Sequence, residues 1–188
     1  MDKKKFSFVN IVFYVIFGVV TGVLWAYASP IPLIPGAVHF RIFAFFVPAA
    51  GFLFGPWAGF FTGYIGTMVW SLLGGYFIPL HSPLADGITV GLSGFFPAWV
   101  MLRGGKTLED ITANKLPFIW KSLVWSVLFG ILMIFSTSLS LSYFTDLDYW
   151  FCVIWIGIAD VVPIALCPFV VVWLAPKIKK LHTIMPYR

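Results

Sequence analysis

Four ionisable side chains stand within or at the edge of long apolar stretches of this sequence: His39, Arg41, Asp86 and Asp160. A charge at membrane depth is costly unless it is paired or faces a cavity, so these are the positions where chemistry is to be sought. Each has two readings. Arg41 either snorkels to headgroups or pairs with an acid and contacts a ligand. Asp86 either caps the helix that follows it, where an acid is favoured, or lines a pocket. Asp160 forms either a structural ion pair or part of a pocket. Asp86, Thr89 and Ser93 are spaced i, i+3, i+7 and share one helical face, which Pro97 continues. Ser126, Phe129, Met133, Thr137 and Ser140 trace a second stripe. Near Asp160, Pro163 removes a hydrogen bond to the carbonyl of Ala159 and Pro168 one to that of Ile164, and helices broken beside an intramembrane acid are a common way to build a binding site.

Other chemistries are not encoded. His39 and His81 have no second histidine or cysteine at ligand spacing, so they read as loop residues, and neither metal nor cofactor is expected. HExxH, GxSxG and GxxxxGK[ST] are all missing, which argues against an enzyme and against ATP hydrolysis in this chain. Cys152 and Cys167 fall in one predicted helix, about 22 Å apart at 1.5 Å per residue, too far to bridge.

The elements that must position these residues follow from composition. At 61% hydrophobic, 20% aromatic and 10% charged, with a mean hydropathy of +0.98, the 188 residues read as an all-α integral membrane protein. At about 20 residues per span this length allows about six helices in a single membrane domain, 1–188. The pattern predicts helices over about 8–28, 40–54, 57–75, 84–102, 117–139 and 149–175, the first one retained rather than cleaved as a signal. Pro30, Pro32 and Pro35 make an extended loop after the first, and Gly55-Pro56 turns the second directly into the third. With both ends inside, eleven of the twelve Lys and Arg residues become cytoplasmic, and Arg41 is the exception. A multi-pass membrane protein fits this pattern, and the net charge of +5 then reports orientation and not a nucleic-acid partner. Trp25, Tyr27, Tyr76, Tyr143, Tyr149 and Trp150 fall near the outer side, as belt residues or as walls of a pocket.

Small residues supply the last signal. Gly51, Gly55, Gly59 and Gly63 recur every fourth residue and suit close packing inside the bundle, whereas Gly18, Gly22 and Ala26 on the first helix form a groove open either to a neighbouring helix or to a separate subunit.

The Gly18-x-x-x-Gly22-x-x-x-Ala26 series, the proline-rich loop PIPLIPG and the hairpin GFLFGPWAGFFTGYIG with its Gly-Pro-x-x-Gly turn, taken with size and helix number, resemble the substrate-binding S components of energy-coupling factor (ECF) vitamin transporters. The resemblance implies a vitamin binder whose pocket opens outward and is capped by the first outer loop, working in a bacterial plasma membrane with a transmembrane coupling protein and two cytoplasmic ATPases. It implies His39, Arg41, Asp86, Thr89, Ser93, Thr137 and Asp160 as pocket residues, and Gly18, Gly22 and Ala26 as contacts to the coupling protein. Cobalamin is the first substrate expected, with a queuosine precursor, riboflavin or pyridoxine as alternatives. An ion-coupled secondary transporter using Asp160 is the competing class, and a membrane enzyme acting on lipid substrates would require a nucleophile or metal set that the sequence lacks.

Overall fold

Apolar length becomes helix along nearly the whole chain. A computed structural model describes residues 8–28, 31–34 and 38–178. Helix α1 (Phe8–Val23) ends in a wider π turn (Leu24–Ala28). Two short antiparallel strands follow, β1 (Pro32–Ile34) and β2 (Val38–His39), and a 3-10 turn (Ile42–Phe45) leads into α2 (Phe46–Phe54). Then come α3 (Pro56–Gly74), a second π turn (His81–Asp86) that opens α4 (Gly87–Leu102), a short α5 (Leu108–Thr112), α6 (Lys115–Thr145), α7 (Tyr149–Ala165) and α8 (Cys167–Leu174). The chain is a helical membrane protein: Phe8–Ala28, His81–Leu102, Lys115–Thr145 and Tyr149–Leu174 are each long and apolar enough to cross a bilayer. The shorter Ile42–Phe54 segment and the 19-residue α3 pack among them.

Local chemistry explains the boundaries. Gly55 takes φ 96°, a conformation open to glycine, and Pro56 occupies the first position of α3, so the α2–α3 turn forms where the sequence predicts it. The expected ends at Phe8, Ala28, Leu102 and Tyr149 are likewise met, and others depart from expectation. α6 runs six residues past the predicted end at 139, because Thr145 donates to the carbonyl of Leu141 (2.6 Å) and holds the last turn until Asp146 takes a left-handed conformation. The predicted helix 149–175 breaks at Leu166, where Pro168 prevents the α7 ladder from continuing, and not beside Asp160. In the hydrophilic 103–115 connection, Thr107 and Asp110 form a reciprocal capping box that nucleates α5.

The core has two halves. At the end where α4 and α8 finish and α6 begins, Phe52, Phe54, Leu108, Phe118 and Val171 cluster. Arg103, Lys106, Lys115, Lys121 and Lys177 lie at this same end. At the opposite end Trp25, Val47, Trp70, Val90, Met133 and Ile156 cluster. Lys3, Lys4, Lys5, Lys179, Lys180 and Arg188, like Pro30 and Pro35, lie outside the described residues.

The glycine ladder joins α2 and α3 to α4: a Cβ on Gly59 would meet the Gly94 carbonyl oxygen at 2.5 Å, and one on Gly63 that of Val90 at 2.7 Å. The α1 groove is likewise internal. Gly18 and Gly22 are buried against α3, where added Cβ atoms would come within 2.6 Å of Ile65 and Val69, and Ala26 packs at the edge of the second cluster. This corrects the expectation that the series is a free docking surface, since α3 already fills the groove. The face of α1 left exposed carries Val12, Ile16 and Val20 instead. Gly22→Leu is therefore expected to cost about 1–3 kcal/mol by overpacking. That should appear as a lower melting temperature of the purified protein in detergent, and an unchanged one would mean that α1 can move away from α3 freely.

Candidate functional site

The non-basic end of the bundle brings three separated charges together. The backbone of Phe40 donates to the carbonyl of Ile31 (2.9 Å), which returns the β1–β2 hairpin over the helix ends and sets Arg41 at the entrance to the 3-10 turn. Its guanidinium lies between Asp86 on the second π turn (Nη2 to Oδ2, 3.9 Å) and Asp160 on α7 (Nε to Oδ1, 3.7 Å). All three residues are buried, with 5%, 3% and 1% of their surface exposed. Two indoles complete the enclosure: the guanidinium carbon lies 5.4 Å from the ring centre of Trp25 and 4.7 Å from that of Trp70. Arginine suits such a place because its planar, weakly hydrated cation stacks on aromatic faces while its edge serves two acids.

Both acid distances exceed a hydrogen bond, so this is an ion cluster without direct hydrogen bonds between its charges. Asp86 Oδ1 and both oxygens of Asp160 are buried with no hydrogen-bond partner among the described residues. Two carboxyl groups thus face one guanidinium, and the unpaired oxygens make the cluster an acceptor for a proton, a small cation or a polar group.

A frame of neutral polar residues surrounds the charges. Thr89 donates to the carbonyl of Ala85 (2.7 Å), leaving its oxygen to accept from Thr137 on α6 across a 2.9 Å gap. His81 Nδ1 and the Ser140 hydroxyl share a 3.0 Å hydrogen bond, which ties the π turn to the C-terminal part of α6. Ser93 donates to the Val90 carbonyl in its own helix and lines a small cavity beside Asp160 and Trp25. His39 is 8% exposed and points at Tyr76, its ring 4.6 Å away edge to face, while Tyr76 stacks on Trp70. A second small cavity runs among Arg41, Trp70, Tyr76, His81, Asp86 and Thr137. In this conformation each of these two cavities has room for about a water or two and not for a larger organic ligand.

Just before this π turn, Leu80 has φ 68° and ψ −46°, and the backbone of His81 donates to the carbonyl of Pro79 (2.8 Å). That is a γ-turn with positive φ, a rare and strained geometry for a residue bearing a side chain. The helix that carries Asp86 is therefore entered through two irregular turns in succession.

Every pocket residue expected from the sequence falls at or around this centre, though Thr89 and Ser93 are engaged chiefly with helix backbone. Of the two readings for Asp86, the geometry favours pairing: its side chain makes no capping bond, because the helical run starts earlier, at His81. Of the outer aromatics, Trp25 and Tyr76 form walls, whereas Tyr27, Tyr143 and Trp150 are exposed. Trp70 is not among the residues expected at the site, and Ser140, which stands on the expected α6 stripe, has a partner in His81 that the stripe does not indicate. Nothing in the local sequence separates the 3% exposed Trp70 from a belt tryptophan, since the difference lies in which residue α3 turns towards Arg41. His39 and His81 were expected as loop residues; both are buried, and among the described residues no group of histidine, cysteine and acid side chains could hold a metal ion. No protein-family model, characterised protein or solved structure matches this chain.

Proposed function

We propose that this chain is the membrane-embedded substrate-binding subunit of an ECF-type transporter for vitamin uptake, with cobalamin the first substrate to test. A queuosine precursor, riboflavin or pyridoxine is the next choice. In this reading the chain crosses a bacterial plasma membrane six times with both ends in the cytoplasm, and its partners are a transmembrane coupling protein and two cytoplasmic ATPases. The observation that carries the reading is the buried Arg41–Asp86–Asp160 cluster, walled by Trp25 and Trp70, at the end of the bundle away from the basic residues, where the first hairpin packs on α7. Helix ends converging under a short loop make a site that can open to one side of the membrane. The small cavities imply that such a ligand enters only when the hairpin and the π turn part, and the strained turn at Leu80 is the natural hinge. With Gly18 and Gly22 covered by α3, docking of the coupling protein falls to another face. The test is co-expression with a coupling protein and two ATPases, followed by mass spectrometry of small molecules retained by the purified complex and by uptake assays. A retained corrinoid and ATP-dependent uptake are expected; absence of ATP-dependent uptake of every vitamin tried would remove the proposal.

A second reading has its own observation. Two buried acids with unpaired oxygens against one guanidinium, beside cavities of water size, suit a proton or small cation better than a bulky vitamin. An ion-coupled secondary transporter would then give uptake that follows an ion gradient and needs no ATP.

A further inference from the structure

At the basic end of the bundle a groove of about 320 Å³ opens between α4, α5 and α6, well apart from the buried charge cluster. Its polar lining includes Lys106, Asn114 and Lys121, and its apolar lining includes Met101, Phe118 and Trp125. Two tryptophan–cation contacts, and a third tryptophan and lysine at the same i, i+4 spacing, mark its depth in the membrane. On α4, Arg103 lies over Trp99 with its guanidinium carbon 5.2 Å from the ring centre, and past the end of α8, Lys177 lies over Trp173 with its ammonium at 3.4 Å. Both helices run towards the basic end, so in each pair the tryptophan comes first. α6 runs the other way, and there Lys121 precedes Trp125. In all three pairs the indole is on the membrane side and the cation on the water side, which is the arrangement of an interfacial belt. The mouth of the groove is therefore at headgroup level and its floor at the start of the hydrocarbon.

One acid, Asp110, stands against the two lysines in the lining, so the groove keeps a net positive charge. Asp110 accepts from the backbone N–H of Thr107 (2.7 Å) and from its hydroxyl (2.8 Å), and both bonds fall on the same carboxylate oxygen. Those bonds, with the nearby charge of Lys106, hold the Asp110 carboxyl below the usual carboxylate range and turn it onto the first turn of α5. A basic mouth, an amide donor from Asn114 and an apolar floor together match a phosphate monoanion attached to an acyl chain.

We infer that this groove is a binding site for an anionic phospholipid, the phosphodiester seated between Lys106 and Lys121 and the upper acyl segment against Val100, Met101 and Trp125. Basic pockets between membrane helices recognise lipid headgroups by this combination of charge and depth. The site does not depend on what the buried cluster at the other end transports.

The experiment is a thermal-unfolding titration of the purified full chain in a neutral detergent with phosphatidylglycerol, phosphatidylcholine or inorganic phosphate. Phosphatidylglycerol should raise the melting temperature saturably, and the others should not. Lys106→Gln combined with Lys121→Gln should weaken the half-saturation point by about tenfold or more, given the attraction of each lysine to an anionic headgroup, while the lipid-free melting temperature stays where it was. Lys115→Gln, outside the groove, should leave the response intact. An equal response to phosphatidylcholine, an equal response to inorganic phosphate, or an equal loss in Lys115→Gln would each overturn the assignment, as would an undiminished response in the double variant.

Discussion

Arg41→Met is expected to be the most damaging single change in the molecule. It removes the cation that Asp86 and Asp160 share and leaves two buried carboxyl groups near each other with no compensation. Breaking a buried ion pair by removing one partner costs about 3–5 kcal/mol, and here two partners are stranded by one substitution. The measurement is the melting temperature and the yield of folded protein from detergent extracts. Methionine keeps most of the volume between Trp25 and Trp70, so the loss reports charge more than packing. Arg41→Lys should recover only part of the stability, because one ammonium cannot present the edge that reaches both acids while stacking on two indoles. Adding Asp160→Asn to Arg41→Met removes one of the stranded charges and should restore a portion of what was lost. A near-native melting temperature for Arg41→Met would mean that the cluster is held by its surroundings and not by its charges.

Asp160→Asn is expected to have the opposite profile, with a small effect on folding and a large one on function. It leaves one carboxylate for one guanidinium, so the cluster becomes neutral, and the amide fills the same space. Stability should change by no more than about 1 kcal/mol, since the lost attraction is offset by removing an under-satisfied buried charge. Binding should fall by at least about tenfold, the factor that corresponds to 1.4 kcal/mol, if Asp160 meets a ligand or a coupling ion. Calorimetry with whichever vitamin or ion the retained-ligand experiment identifies reads this directly. Strong destabilisation with unaltered binding would make Asp160 a structural acid and would remove it from the site. Taken together, the two variants separate a cluster that folds the protein from a cluster that works.

Much of the site could be read from residue types alone. Arg41, Asp86 and Asp160 stood out because a charged group in an apolar stretch has few tolerable environments, and one of those is another charge. The i, i+3, i+7 spacing placed Asp86, Thr89 and Ser93 on one face, and Thr137 was recovered from a similar stripe on α6. Trp70 and the His81–Ser140 bond could not be recovered in this way. An indole that stacks on a guanidinium has the same local sequence as one that faces lipid, and Ser140, although it stands on the same stripe as Thr137, gives no local sign that its partner is a histidine 59 positions away. The strained turn at Leu80 was equally hidden, since a leucine is not a residue that announces positive φ.

The amino-acid sequence by itself determined that this is a helical membrane chain, where most helices begin and end, that Gly55-Pro56 is a turn, and which few ionisable groups must find partners. These follow from composition, from the fixed geometry of proline and glycine, and from the cost of charge in an apolar medium, all of which act locally. Only the tertiary structure decided which partner each group found. The glycines of α1 looked as suited to another subunit as to this one, and α3 claimed them because Ile65 and Val69 come within reach of Gly18 and Gly22. Asp86 could have capped a helix, and it turned to Arg41 because the π turn begins that helix earlier than its sequence pattern indicates. Pairing across the bundle depends on helix rotation and on register between segments far apart in the chain, and both are set by the packing of the whole.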